Sequence, residues 1–199
     1  MYDYTYDIET GGLLLGERIS QLSNEPRPVY AAELTLLGMD KYWRFDQQNE
    51  TPYMWSEACN YIYRGTKVAK IKGGALCQAP VLELVHTKAD DGDATLALPQ
   101  GTTLLAVDIP AMVERNKDAL SIVEQITVKK IYDYYKRYKD KLDCFHVAFS
   151  GGKDSVVLLE LVKRALPRSG FMVVFGDTGM EFSDTYRIID QEEATCRKD

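Results

Sequence analysis

Residues 144–155 read Cys-Phe-His-Val-Ala-Phe-Ser-Gly-Gly-Lys-Asp-Ser, an apolar run that ends in a glycine-rich loop. The run at 144–149 is short and β-prone, which is typical of a buried parallel strand. A helix is predicted over 156–165, a second buried strand over 171–175 and a second helix over 181–189. The order strand, loop, helix, strand, loop, helix predicts an α/β fold with a parallel sheet.

The loop over 150–155 has the chemistry of an anion-binding site. Its two glycines permit a tight turn and a close approach of the backbone to a ligand. The helix that follows begins with N–H groups that lack partners and with a partial positive charge. Ser150 and Ser155 add hydroxyl donors, Lys153 adds a full charge, and Asp154 adds a carboxylate that suits Mg²⁺. These residues predict a site for a pyrophosphate or a sulfate-like group, and a purely structural turn is the alternative.

The spacing of this loop differs from two common phosphate-binding patterns. It matches neither G-x-x-x-x-G-K-[ST] nor G-x-G-x-x-G. The complete six-residue string between a strand and a helix nevertheless favours a ligand site over a structural turn.

The chain before this loop is predicted to form a β-rich α+β N-terminal region at 1–107 and a long connecting helix at 108–142. The helix is amphipathic over 110–141, is opened by Asp108, and is interrupted near Asn116. The smaller elements predicted in the N-terminal region are a helix over 30–37 that ends at Gly38, a hairpin of 60–63 with 67–71, strands over 81–85 and 104–107, and an exposed loop over 89–93.

Composition and charge exclude several classes of protein. With 45% hydrophobic and 27% charged residues, the chain is typical of a globular protein rather than a disordered one. No apolar run approaches the roughly 18 residues of a membrane span, and the N-terminus lacks the features of a signal peptide. A cytoplasmic location without a membrane partner is therefore expected.

The net charge of −6 does not indicate nucleic acid as a partner. A local contact with nucleic acid stays open at Arg64, Lys67, Lys70 and Lys72, whose alternative role is a solvated hairpin face. The four cysteines form no C-x-x-C pair, so no zinc site is predicted. Cys144 is expected in the core at the start of its strand.

Two motifs carry a resemblance to a known family. The string Phe149–Ser155 resembles the PP-loop of the adenine nucleotide alpha-hydrolase superfamily, the ATP pyrophosphatases. Residues 174–186 read Val-Phe-Gly-Asp-Thr-Gly-Met-Glu-Phe-Ser-Asp-Thr-Tyr and resemble a segment of the phosphoadenosine phosphosulfate (PAPS) reductase family. The resemblance covers about residues 143–190. It implies that 143–199 is the start of a nucleotide-binding domain with a Rossmann-like parallel sheet.

The resemblance also implies the residues of a nucleotide site. Lys153 and Asp154 are implied as catalytic residues, with Asp154 as the candidate Mg²⁺ ligand. The backbone at Ala148 and Phe149 is implied to contact adenine. The other implied nucleotide or phosphate contacts are Ser150, Gly151, Gly152, Lys153, Asp154, Ser155, Asp177, Thr178, Gly179 and Glu181. For Asp177 the alternative is a helix cap.

Three functions are compatible with this resemblance. The intact loop favours ATP, cleaved between its α and β phosphates to adenylate an acceptor with release of pyrophosphate. The alternatives are a PAPS or adenylyl-sulfate reductase, which needs a thiol donor, and a non-catalytic nucleotide-sensing module. After residue 143 only two strands are evident, which implies a truncated sheet. A protein partner or a further C-terminal part is then expected to complete the site.

Overall fold

The structure is a computed structural model that describes residues 2–18, 25–73, 79–88 and 94–198. It divides into two compact units, Met1–Ala119 (unit 1) and Leu120–Asp199 (unit 2). The loop predicted over 89–93 lies outside the described residues. No described helix is both long enough and apolar enough to cross a membrane.

Unit 1 is rich in β structure, as predicted. Its central sheet has five antiparallel strands in the order β3-β4-β5-β6-β7, and two further pairs, β1-β2 and β8-β9, form hairpins. The strands are β1 Tyr2–Tyr6, β2 Leu13–Arg18, β3 Arg27–Val29, β4 Met54–Glu57, β5 Asn60–Tyr63, β6 Thr66–Lys72, β7 Val81–Leu84, β8 His86–Lys88 and β9 Ala94–Leu96. The helical elements are α1 Ala31–Leu36, a 3-10 turn at Met39–Lys41, α2 Ile109–Arg115 and α3 Lys117–Tyr138, of which α3 continues into unit 2.

The hairpin of β5 and β6 is confirmed, together with the reason for its turn. Arg64 and Gly65 both have positive φ, at 48° and 82°, as a two-residue turn that matches the twist of its strands requires. The guanidinium of Arg64 is held in place, because Nη1 donates to the carbonyls of Ile8 and Glu9 at 2.5 and 2.6 Å. The turn therefore also ties the hairpin to the loop after β1.

The strand predicted over 104–107 is wrong. Leu104 and Val107 are buried at 3% exposure each, but no strand forms there. The N–H of Leu104 donates to the carbonyl of Arg44 at 2.7 Å, and the N–H of Val107 donates to the carbonyl of Pro52 at 2.8 Å. Because the two bonds go to separate loop segments, the run is buried as irregular backbone rather than as part of a ladder.

The break predicted near Asn116 is confirmed. Asn116 separates α2 from α3 and is buried. Its amide oxygen accepts from the N–H of Leu15 at 2.7 Å, and its amide nitrogen donates to the carbonyls of Leu13 and Met112 at 2.7 and 2.8 Å. The side chain replaces helix bonds with bonds to β2, so the interruption joins the helix to a strand.

A buried carboxylate stabilises the turn after β1. Asp7, at 6% exposure, accepts hydrogen bonds from the hydroxyl of Thr10, the N–H of Glu9 and the guanidinium of Arg115. Burial favours the neutral acid, but these donors outweigh it and hold the pKa of Asp7 below its ordinary value of 3.8. A lowered pKa in the folded state contributes stability above pH 4 that is lost as the pH falls through the folded value.

We expect Asp7→Asn to lower the free energy of unfolding of unit 1 by about 1–3 kcal/mol at pH 7, because the variant loses the negative charge beside Arg115 and one of the two acceptor oxygens. Urea unfolding followed by tryptophan fluorescence reports on this unit, since Trp43 and Trp55 are both buried in it. The difference in free energy of unfolding between the variant and the wild type should become smaller below pH 4. Asp40→Asn, at an exposed carboxylate, is the matched control. A difference in free energy of unfolding that stays constant from pH 7 to pH 3 would contradict the stabilising role of the ionised Asp7 carboxylate.

Unit 2 contains a parallel pair of strands, β10 at His146–Ala148 and β11 at Met172–Val174. Helix α4 spans Lys153–Ala165 and α5 spans Ser183–Lys198, with a 3-10 turn at Arg168–Gly170 between α4 and β11. The predicted order of strand, loop and helix is thus confirmed, and the chain is a mixed α/β protein. Its described parallel sheet consists of these two strands.

The core of unit 2 lies on one side of this pair. Alternation along β10 buries Val147 and leaves His146 and Ala148 exposed. The buried set is Val147, Phe149, Leu159, Val162 and Leu166. The core placement predicted for Cys144 is wrong: this thiol is free and exposed. The strand begins only at His146, so the first residues of the apolar run lie outside it.

Candidate functional site

The predicted phosphate loop joins the end of β10 to the start of α4. Gly151 has a φ of +72°, and Gly152 is extended, with φ −79° and ψ 161°, at the N-cap of α4. No side chain caps this helix end. The first N–H groups of α4 have no partner within the helix, because the turn before them is not helical. The loop therefore presents backbone donors at the positive end of a helix.

The two serines close the loop on itself. The hydroxyl of Ser155 donates to the carbonyl of Gly152 at 2.9 Å. It also accepts from the hydroxyl and the N–H of Ser150, at 3.2 and 3.3 Å. This arrangement fixes the width of the loop, and both hydroxyls lie beside the helix end where a bound anion is expected.

Lys153 and Asp154 lie at the first turn of α4 and extend into solvent, with side chains 88% and 91% exposed. Lys153 Nζ lies 2.8 Å from Asp154 Oδ1. Among the described residues, no group of three or more His, Cys, Asp or Glu side chains could hold a metal ion. Asp154 by itself fits a Mg²⁺ ion that arrives on nucleotide phosphates, since Mg²⁺ commonly combines one or two carboxylates with phosphate oxygens. It does not fit a metal site built by the protein alone.

The second predicted segment, after β11, is held by its own side chains. Asp177 Oδ1 accepts from the N–H of Gly179 at 2.8 Å and from the hydroxyl of Tyr186 at 2.6 Å. These two donors hold the pKa of Asp177 below its ordinary value, and the same bond raises the pKa of Tyr186. The hydroxyl of Thr178 donates to Glu181 Oε1 at 2.9 Å. Asp177 therefore holds the turn together and remains exposed to solvent. It lies before α5 begins at Ser183, so it is not the helix cap given as its alternative role.

The parallel pairing brings the two segments to one edge of the sheet. Ala148 pairs with Val174 in the ladder, and the N–H of Phe149 donates to the carbonyl of Val174 at 2.8 Å. Ligands of open parallel sheets bind at this carboxyl edge. Because the N–H of Phe149 is used in the sheet, a contact from this residue to a base would come from its carbonyl.

A hollow of about 470 Å³ lies near this edge. Its lining is mainly apolar, with two glutamates: Phe149, Leu159, Val173, Phe175, Ile189, Glu192 and Glu193. None of the loop residues 150–155 lines it. Glu192 is paired with Lys163 at 2.9 Å. The carboxylates of its lining make this hollow less suited to a phosphate than the loop is.

Residues 145–197 match the family model of the phosphoadenosine phosphosulfate reductase domain. This segment contains β10, both loops, α4 and all of α5 except its last residue. It overlaps the stretch at 143–190 on which the sequence resemblance rests. The family model and the sequence resemblance therefore agree on the same segment of the chain.

Two relatives come from Methanocaldococcus jannaschii. The chain is 37% identical over 73 residues to uncharacterized protein MJ0973. The aligned residues cover 37% of this chain and 17% of that protein. It is 38% identical over 82 residues to uncharacterized protein MJ0066, which covers 41% of this chain and 16% of that protein. The match thus spans about a sixth of each relative, and neither name states an activity. No solved structure matches the chain at a significant level.

The basic residues of the β5–β6 hairpin lie outside the matched segment, and two of them form contacts within unit 1. Arg64 is anchored on two carbonyls, as described above, and Lys72 pairs with Glu83 at 2.8 Å. Lys67 and Lys70 are exposed. This arrangement favours the solvated hairpin face over a contact with a nucleic-acid backbone, because the latter needs several free cations.

The two glycines of the phosphate loop should respond differently to substitution. An alanine at Gly151 would have to adopt a φ of +72°, which L-residues rarely do, and its Cβ would lie 3.1 Å from Thr185 Cγ2. Gly152 has a negative φ, and a Cβ there would lie 3.5 Å from its nearest neighbouring atom. We expect Gly151→Ala to lower the stability of unit 2 by about 1–2 kcal/mol. Gly152→Ala is the matched control and should stay within about 0.5 kcal/mol. Hydrogen exchange of α4 amides measures both, and equal losses would contradict this reading.

Proposed function

We propose that the segment beginning at residue 143 binds an adenine nucleotide, with the phosphates at the loop over 150–155. The observation that carries the proposal is the uncapped start of α4 beside Lys153, at the carboxyl edge of a parallel strand pair. A helix end of this kind is suited to phosphate because its N–H groups and its dipole both favour an anion. The family match over 145–197 supports the same ligand class.

The nucleotide proposed is ATP, and the proposed wider placement is the adenine nucleotide alpha-hydrolase superfamily with its Rossmann-like sheet. The intact Ser-Gly-Gly-Lys-Asp-Ser string supports ATP, since it resembles the PP-loop of the ATP pyrophosphatases. The contacts proposed for the base are at Ala148 and Phe149. The Asp177–Gly179 turn is proposed to lie beside the nucleoside. Glu181 is proposed to support this turn, since it accepts a hydrogen bond from the hydroxyl of Thr178.

The reaction proposed is adenylation of an acceptor. An acceptor oxygen forms a bond to the α-phosphorus, and the bond from that phosphorus to the α–β bridging oxygen breaks. The electron pair leaves with pyrophosphate, and no atom changes its oxidation state. Lys153 and the N–H groups of the loop would stabilise the charge that develops on the leaving phosphates. Mg²⁺, if carried in on the phosphates beside Asp154, would neutralise part of that charge.

Reduction of PAPS or adenylyl sulfate is the main alternative, and a nucleotide-sensing module without turnover is the other. Reduction needs a thiol next to the sulfonate. The free thiols among the described side chains are Cys59, in unit 1, and Cys144. Cys144 precedes β10, whereas the phosphate loop follows it. The described thiols therefore do not favour reduction.

Equilibrium binding of ATP and of PAPS, measured side by side with Mg²⁺ present, tests this proposal. We expect ATP to bind more tightly, followed by release of pyrophosphate when an acceptor is supplied. Tighter binding of PAPS would replace the proposal with the reductase function. Tight binding of ATP without turnover in the presence of any acceptor would favour the sensing module.

A further inference from the structure

The first turn of α5 contacts both halves of the proposed nucleotide site. Thr185 lies against the phosphate loop, since a Cβ at Gly151 would be 3.1 Å from its Cγ2 and 3.6 Å from its carbonyl oxygen. The next residue, Tyr186, donates its hydroxyl to Asp177 on the second loop at 2.6 Å. Two neighbouring residues thus fix the spacing of the two loops.

The ring of Tyr186 is itself held in place. It packs edge-on against Phe175, with ring centroids 6.4 Å apart and planes at 81°. Phe175 directly follows β11, so the hydroxyl is placed by the end of the strand as well as by the helix. Such support on rigid elements is what a residue needs if it is to hold a functional group in one orientation.

The carboxylate of Asp177 is oriented by its bonds. Both the hydroxyl of Tyr186 and the N–H of Gly179 donate to Oδ1. The other oxygen, Oδ2, accepts no hydrogen bond from the residues that the structure describes. The side chain is exposed at the carboxyl edge of the sheet. One oxygen therefore anchors the group and the second is available to a ligand.

We propose that Tyr186 is a positioning residue, whose hydroxyl fixes the Asp177 carboxylate so that its second oxygen accepts a hydrogen bond from the nucleoside part of the nucleotide. The inference rests on the proposed nucleotide function. It gives the two segments separate roles. The loop over 150–155 binds the phosphates, and the pair of Tyr186 and Asp177 recognises a hydroxyl or amino group of the nucleoside. A carboxylate acceptor suits such a donor and repels phosphate.

The test compares ATP with inorganic pyrophosphate, which lacks a nucleoside. Tyr186→Phe removes one hydroxyl and keeps the ring against Phe175. We expect it to weaken ATP binding about five- to tenfold, the usual cost of a lost charge-assisted hydrogen bond. Binding of pyrophosphate should change less than twofold. Tyr132→Phe, at an exposed tyrosine of α3, is the matched control.

A second variant shows whether the two residues act together. Asp177→Asn should give the same selective loss for ATP, and the double variant should lose little more than either single variant. Additive losses, unchanged ATP binding in Tyr186→Phe, or equal losses of ATP and pyrophosphate would each overturn the positioning role. If the wild-type protein binds neither ATP nor pyrophosphate, the proposed nucleotide binding is wrong. That outcome is distinct from the three that would overturn only the positioning role of Tyr186.

Discussion

Lys153→Ala should weaken ATP binding by roughly 10- to 100-fold, the range for loss of a charge-assisted contact to phosphate. Lys153 lies at the first turn of α4, and its side chain is 88% exposed, so its amine is able to reach a ligand. Its partner there is Asp154, a carboxylate that a phosphate can replace. The variant should also lose binding of pyrophosphate, because the lysine acts on the phosphates and not on the nucleoside.

The control for this variant removes the same charge elsewhere in the unit. Lys136, on α3, is exposed. Its neighbour Tyr135 packs against Phe145, which precedes β10, whereas the loop follows that strand. Lys136→Ala should change the dissociation constant of ATP less than twofold at physiological salt, where distant surface charges are screened. Isothermal titration calorimetry measures the dissociation constants of ATP and of pyrophosphate for the wild type and for both variants. Equal effects of the two variants would indicate general electrostatic attraction instead of a site at the loop.

Leu159→Ala should cost unit 2 about 2–5 kcal/mol of stability. Leu159 is 1% exposed and lies in the core that joins α4 to the strand pair. Its truncation leaves a cavity that neighbouring side chains fill only partly. Since a small unit has only a few kcal/mol to lose, we expect much of unit 2 to open, and nucleotide binding to fall with it.

The neighbouring leucine provides the control. Leu158 is 43% exposed on the same helix, so Leu158→Ala should cost less than about 1 kcal/mol. Both tryptophans lie in unit 1, so the measurement uses hydrogen exchange of amides in α4 and β10. Similar loss of protection in the two variants would show that the core of unit 2 is not where the structure places it.

Local signals made much of unit 2 predictable. A short apolar run, a glycine-rich loop and a helical pattern specify a strand, a turn and a helix within 25 residues, and these appear as β10, the loop and α4. The break at Asn116 was visible in sequence because the helical pattern is interrupted there. Its cause was not, because Asn116 bonds to Leu13 and Leu15 on β2, about a hundred positions earlier in the chain.

The errors have the same origin. An apolar run predicts burial but not the backbone form that burial takes, so 104–107 was predicted as a strand although it packs as irregular chain. Cys144 was predicted in the core because the apolar run begins there, two residues before the strand. In both cases the partner segment decides the outcome, and a single sequence does not specify the partner.

The candidate site was predictable in its loop and less so in its second segment. The residues proposed to bind phosphate in the loop are consecutive in the chain. The role of Tyr186 depends on a contact with Asp177 nine residues away, across a turn and the start of a helix. Tyr186 stands in the quoted motif at 174–186, but a tyrosine in an amphipathic helix is read as packing unless its hydroxyl partner is known.

The most direct test of nucleotide binding at the loop is the change in backbone amide chemical shifts of the labelled protein on addition of ATP with Mg²⁺. The largest changes should fall at 150–156, with a second group at 177–179, and pyrophosphate alone should reproduce only the first group. Largest changes in unit 1 or around Ile189 and Glu192 in the hollow, or no change at saturating ATP, would contradict the assignment of residues 150–155 as the phosphate-binding site.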